Sequence, residues 1–162
     1  MSCKALLVDL DGVIRDWPKD YTDIEHPNGL PAGAITKAAF DPQFLTPAIK
    51  GHITDDRWRQ DIGDELLRRY PQANVSSAMT AWSAGAGVVN TSALQLLLNS
   101  ASNKKLVLLT NATSRLAVDL EALGISGHFS SVINTSEVGW IKPEKEIYQY
   151  ARSVCDLSLI HI

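Results

Sequence analysis

Ala5-Leu6-Leu7-Val8 is an apolar run without alternation, and it stops abruptly at Asp9-Leu10-Asp11-Gly12. A strand with one wet face alternates apolar and polar residues. An uninterrupted run reads instead as a strand covered on both faces, the kind found in parallel sheets flanked by helices. Two carboxylates and a glycine at the end of such a strand conflict with folding logic alone. Conflicts of that kind are expected where function sits.

The rest of the chain fits a parallel sheet. A second buried-type run, Leu106-Val107-Leu108-Leu109, ends in Thr110-Asn111, and a short third run, Ser131-Val132-Ile133, precedes a loop and Lys142-Pro143. Residues 17–30 read as loop, punctuated by Pro18, Pro27, Asn28 and Gly29. Helices are predicted over 34–40, 43–49, 75–82, 92–98 and 113–123, the last with Leu116, Leu120 and Leu123 on one side and Gly124 at its end. Another starts after Thr54 as N-cap, with Asp55 and Asp56 in its first turn. Its apolar face carries Trp58, Ile62 and Leu66, joined by Leu67, and Pro71 closes it. A final helix is predicted over 144–154, with Pro143 at its N-terminal end. Strands alternating with helices imply an α/β fold, a Rossmann-like parallel sheet with right-handed crossovers. The helical stretch after the first strand is too long for a simple crossover. Residues 17–90 are therefore read as an inserted α-helical cap, leaving 1–16 and 91–162 for the α/β core.

Ligands of open parallel sheets bind beyond the carboxyl ends of the strands. Asp9, Asp11, Thr110 and Asn111 all fall there, and Lys142 follows the third strand. Thr110-Asn111 also reads as an N-cap for the helix behind it. A net charge of −3 shows no basic footprint for nucleic acid. Two cysteines, Cys3 and Cys155, make neither a disulfide framework nor a metal spacing, and no apolar run approaches a membrane span. A cytoplasmic location follows as the expectation. Trp17, Trp58, Trp82 and Trp140 read as packing residues, with Trp17 singled out for specificity. His26, His52 and His128 read as surface residues, and Arg57, Arg59, Arg68 and Arg69 as a solvated helix face.

The segments Val8-Asp9-Leu10-Asp11-Gly12-Val13-Ile14, Leu108-Leu109-Thr110-Asn111 and Lys142-Pro143-Glu144-Lys145-Glu146-Ile147-Tyr148 resemble the first three motifs of the haloacid-dehalogenase superfamily, in order and in spacing. The insert is similar to that of its helical-cap subclass. The resemblance implies a phosphohydrolase acting on a small phosphorylated metabolite. Asp9 would attack phosphorus and form an aspartyl-phosphate. Mg²⁺ would be held by the Asp9 carboxylate and the Asp11 carbonyl. Asp11 would act as general acid and then general base. Lys142 would offset negative charge, and Gly12, Thr110, Asn111 and Lys142 would bind the phosphate. The second aspartate favours phosphoryl transfer over dehalogenation, because a departing halide needs no proton. A sugar-phosphate mutase, a phosphonate hydrolase using a cap lysine such as Lys37 or Lys50, and a non-catalytic binding protein stay open as alternatives.

The superfamily's fourth motif, an acidic pair at the end of another strand, has no counterpart here. Only 20 residues follow Lys142, and most belong to the last helix. Asp156 stands in the wrong context, so a third acidic metal ligand is not found. Residues 157–162, Leu-Ser-Leu-Ile-His-Ile, lack capping logic and match the translation of a transposon-end sequencing adapter. The expectation is a C-terminally truncated chain whose first strand is an unpaired edge, with low solubility and weak activity.

Overall fold

The computed structural model describes residues 5–101 and 103–155. Its main sheet is parallel, with β1 (Ala5–Val8), β4 (Lys105–Thr110) and β5 (Ser131–Asn134) in the order β1-β4-β5. Ala5 pairs with Lys105 and Val8 with Leu108, while Thr110 pairs with Asn134. This register brings Asp9, Asn111 and Thr135, the residues just past the three strands, to one edge. β4 lies in the middle and is buried from Leu106 to Thr110. Its side chains alternate between faces, as the pleat requires. Leu106 and Leu108 join a cluster with Leu94, Leu116 and Leu120, whereas Val107 and Leu109 join one with Ile133, Ile147 and Ala151. The first cluster is supplied by α6 (Thr91–Ser100) and α7 (Leu116–Ala122), the second by α9 (Lys145–Val154). Helices on both faces explain why the strands read as continuous apolar runs.

The helical block runs through α1 (Thr22–Glu25), α2 (Ala34–Ala39), α3 (Pro42–Ile49), α4 (Asp55–Arg69) and α5 (Val75–Ser83). It has a core of its own, in which Ile35, Trp58, Ile62, Leu66, Val75 and Ala78 are buried. Each fully buried Ile or Leu there contributes roughly 1.5–3 kcal/mol by area removed from water. Thr54 caps α4 as predicted, its hydroxyl accepting from the Arg57 N–H at 3.2 Å. Leu67 is 51% exposed and does not join the apolar face. It follows Leu66 by one residue, which turns it about 100° away. The two chain segments entering and leaving the block are pinned together by an antiparallel pair, β2 (Arg15–Asp16) with β3 (Val88–Val89).

Several predicted boundaries shift. The stretch 17–30 is not all loop, since it contains α1 and a 3-10 turn, His26–Asn28. The buried Glu25 carboxylate explains the local order: it accepts from Gly33 N–H at 2.7 Å and Ile35 N–H at 2.8 Å, capping α2 from a distance. α7 starts at Leu116, three residues later than predicted, so Thr110-Asn111 does not cap it. The loop after β5 contains a one-turn helix, α8 (Thr135–Val138), capped by Asn134. Among the described residues, no helix is long and apolar enough to cross a membrane. Asp156 and residues 157–162, with the truncation argued from them, lie outside the described residues, as does Cys3.

Candidate active site

Asp9 follows β1, and its Oδ1 receives two donors: the ammonium of Lys142 at 2.6 Å and the Leu10 N–H at 2.9 Å. Its Oδ2 has no hydrogen-bond partner among the described residues. Lys142 belongs to the loop after α8, and Asn111 holds that loop in place. The Asn111 Oδ1 accepts from Lys142 N–H at 2.8 Å, and its amide donates to the Lys142 carbonyl at 3.1 Å. This reciprocal pair uses the side chain of Asn111 as a bracket for the lysine. Gly12 is also committed, its N–H donating to the Arg15 carbonyl at 2.9 Å, with φ +76° in a turn that favours glycine. Thr110 is 1% exposed and lines the same cavity as Asp9, Asp11, Asn111 and Lys142. The structure therefore gathers Asp9, Asp11, Thr110, Asn111 and Lys142, and leaves Gly12 in the turn beside them.

Asp11 is engaged more heavily than its sequence context indicates. Arg15 approaches it with two donors, Nε to Oδ1 at 2.7 Å and Nη2 to Oδ2 at 3.1 Å. Trp17 Nε1 donates to the same Oδ1 at 2.6 Å, and the Arg15 guanidinium lies 4.6 Å from the centre of the Trp17 ring. Arg15 continues to Asp119 Oδ2 at 3.0 Å, and Asp119 Oδ1 accepts from Arg115 Nε at 2.9 Å. Arg115 in turn donates to the carbonyls of Ser83 and Gly85 at the end of the helical block. A chain of alternating charges thus runs from the first motif to the block's exit. Its buried centre, Arg15 with Asp119, needs both members, because removing one leaves an uncompensated charge.

The helical block supplies the opposite wall. Asp55 is buried, accepts from the Thr113 hydroxyl at 2.6 Å, and pairs with Arg59. Its N–H donates to Ser114 Oγ at 2.9 Å. Trp58, Trp82, Tyr21 and Arg59 line a cavity of about 500 Å³ that opens onto Asp9. Arg59 is thus not part of a solvated face, its guanidinium lying 4.8 Å from the Trp82 ring centre and 5.6 Å from that of Trp58. Trp140 stays outside, exposed and near Tyr150. His26, His52 and His128 are exposed, as predicted. Arg15, Arg115 and Asp119 were not singled out from the sequence, and Asp55 and Arg59 were read only as helix-end and solvated residues. The spacings Asp11–Arg15, Asp55–Arg59 and Arg115–Asp119 are all i,i+4, but that signal also marks ordinary surface pairs.

Lys50 is tied across the interface rather than turned to the cavity: its ammonium meets Glu144 Oε1 at 2.5 Å. The Glu144 carboxyl lies below its ordinary range, chiefly through the hydrogen bond from Lys50 and then that from the Ile141 N–H, with burial opposing. A depressed carboxyl stabilises the fold in full above its ordinary value of 4.5 and loses that contribution as pH falls through the folded value. The stability difference between the wild type and Lys50→Met should therefore be flat above that pH and shrink below it. Thermal unfolding of both proteins across the acid range checks this, and a pH-independent difference would rule out the tie.

The donors near Asp9 fit Mg²⁺ in kind. With both Asp11 carboxylate oxygens taken by Arg15, the Asp11 group left over is its main-chain carbonyl, which accepts no hydrogen bond among the described residues. No group of three or more His, Cys, Asp or Glu side chains able to hold a metal occurs among the described residues. Mg²⁺ tolerates that shortage better than most cations, because it keeps waters and shares substrate phosphates.

No family model matches the sequence, and no curated protein matches it. Solved structures do match. A HAD family enzyme from Bacteroides thetaiotaomicron, in complex with magnesium and inorganic phosphate, is similar with TM-score 0.73 and 19% identity, over 96% of this chain and 80% of that one. A predicted HAD-like family hydrolase from Porphyromonas gingivalis aligns with TM-score 0.66 and 15% identity, over 96% and 78%. The L-2-haloacid dehalogenase from Xanthobacter autotrophicus, with chloropropionic acid covalently bound, aligns with TM-score 0.62 and 16% identity, over 97% and 66%. At these identities the likeness establishes the fold, which is that of the haloacid-dehalogenase-like enzymes.

Proposed function

We propose, from the haloacid-dehalogenase-like fold this chain carries, that it is a Mg²⁺-dependent phosphomonoester hydrolase working through a phosphorylated Asp9. The observation that carries the reading is the Lys142–Asp9 contact at 2.6 Å, set at the carboxyl edge of a parallel sheet with Asp11 and Thr110 lining the same cavity.

Lys142 occupies one oxygen of Asp9 and leaves the other to attack. An approaching phosphate dianion and a carboxylate repel each other, and the ammonium reduces that repulsion as charge builds on the phosphoryl oxygens. Asn111 keeps the lysine in position through its backbone. The Thr110 hydroxyl, at the end of β4, would donate to a phosphoryl oxygen. A bound Mg²⁺, held by the Asp9 carboxylate and the Asp11 carbonyl, would supply charge neutralisation between nucleophile and phosphate.

In the first step the Asp9 oxygen bonds to phosphorus and the ester P–O bond breaks. The departing alkoxide takes its proton from Asp11, which has to enter this step as the neutral acid, released from its Arg15 pair. In the second step water attacks phosphorus, Asp11 accepts its proton, and Asp9 is released with inorganic phosphate. Both steps require Asp11 to exchange a hydrogen bond with Arg15 or Trp17 for one to the reacting oxygen. Arg15 is thereby a positioning residue. The need for a proton also separates this site from a dehalogenating one, where the leaving halide needs none.

The test is phosphate release from a generic aryl phosphate. Release should require Mg²⁺, stop on chelation, and return when Mg²⁺ is restored. Release that continues unchanged in excess chelator, or no release under any condition, would overturn the reading.

A further inference from the structure

The wall facing Asp9 carries information about what is attached to the phosphate. Trp17, Tyr21, Phe40, Leu45, Ile49 and Trp82 line the cavity of about 500 Å³ beyond the phosphate end. The carboxylates on the same wall are already spent. Asp55 is taken by Arg59 and Thr113, Asp119 by Arg15 and Arg115, and Asp11 by Arg15 and Trp17. The polar side-chain groups left over on this wall, among the described residues, are the indole N–H of Trp82, the Lys19 ammonium, and the hydroxyls of Tyr21 and Thr36. Trp58 adds none, because its Nε1 is buried out of a ligand's reach. Apart from the two hydroxyls these are donors.

A polyol presents several hydroxyl donors, and each needs an acceptor when stripped of water. Here every carboxylate on the wall already has its partners inside the chain. A polyol would enter at the cost of its own hydration or of a buried ion pair. An aromatic or aliphatic body would instead bury against the rings and need nothing in return.

We infer that the site takes phosphomonoesters of apolar, ring-bearing alcohols in preference to sugar phosphates. This rests on the hydrolase reading for its turnover and on the cavity alone for its binding. The experiment separates the two. 2-Phenylethyl phosphate and glucose 6-phosphate both release a primary alcohol, so their leaving groups are matched. With Mg²⁺ present, kcat/KM should favour the phenylethyl ester by about tenfold or more, in the range that one misplaced set of polar groups commands. Phe40 is 67% exposed, so Phe40→Ala should fold, and it should narrow that ratio several-fold.

Calorimetry with the matched, uncleavable phosphonates reads binding without chemistry. Binding of the phenyl phosphonate above the sugar phosphonate, with no ester cleaved, keeps the inference and discards the hydrolase. Equal or better use of glucose 6-phosphate overturns the inference while keeping the hydrolase. Binding of neither phosphonate overturns the inference as well.

Discussion

Asp9→Asn should abolish phosphate release while leaving the fold intact. The asparagine carbonyl can still accept from Lys142 and from the Leu10 N–H, the two contacts that Asp9 Oδ1 makes now. What disappears is the anionic oxygen that attacks phosphorus, and the neighbouring carboxylate, Asp11, serves proton transfer in this mechanism rather than attack. Loss of a nucleophile costs roughly 10⁴-fold or more in kcat, and what survives is the background set by binding and charge stabilisation. A factor of that size corresponds to at least about 5 kcal/mol of transition-state stabilisation. The check is a progress curve of phosphate release for both proteins, beside thermal unfolding. Rapid quenching of the wild type during turnover should also show one phosphoryl group on the peptide that carries Asp9. A variant with wild-type turnover, or a phosphoryl group found elsewhere, would remove Asp9 from the mechanism.

The residues on which this rests were legible because of where they stand. Asp9, Thr110 and Asn111 end runs of apolar residues, and a continuous run specifies a strand with both faces covered. The strand direction follows from the alternating helices, and the ligand edge follows from the direction. Lys142 needed a motif, since one lysine in a loop carries no signal of its own. The partners were hidden for a physical reason. Arg15 meets Asp119 across 104 positions of sequence, and only folding brings them together. Asp55–Arg59 has the spacing of an ordinary helix-surface pair. Nothing local distinguishes it from Arg57–Asp61, which has the same spacing but whose arginine side chain is 59% exposed. Short elements were hidden as well. α1 and α8 are four residues each, too short for any periodicity, and they depend on Glu25 and Asn134 finding backbone donors. Asn111 shows the limit from the other side: its position was legible and its bracket on Lys142 was not, because which backbone an amide meets is decided by the loop beside it.

Gly51→Ala should be the most destabilising single-methyl addition in the helical block. Gly51 follows α3 as the left-handed residue that ends it, with φ +73°. Its N–H donates to the Ala48 carbonyl at 3.1 Å, and the His52 N–H donates to the Pro47 carbonyl at 2.8 Å, the two bonds of a Schellman end. A Cβ at this position would run into the main-chain carbonyl of Ser136 in α8. That obstacle is backbone and cannot rotate away. It also sits beside the Lys50–Glu144 tie, so two adjacent residues dock the block onto the core. Left-handed strain of about 1–2 kcal/mol and overpacking of about 1–3 kcal/mol together predict a loss of ~2–5 kcal/mol. For a chain of this size that lowers Tm by roughly 5–15 °C. Gly33→Ala separates the two contributions. Gly33 has φ +78° and nothing near the place its Cβ would occupy, so it carries the backbone strain alone. The Gly51 variant should also lose turnover out of proportion to its Tm, because Asp55, Trp58 and Trp82 wall the cavity over Asp9 only while the block is docked. Equal destabilisation by the two alanines would mean that the block does not sit on Ser136, and the cavity built from both halves would then have to be redrawn.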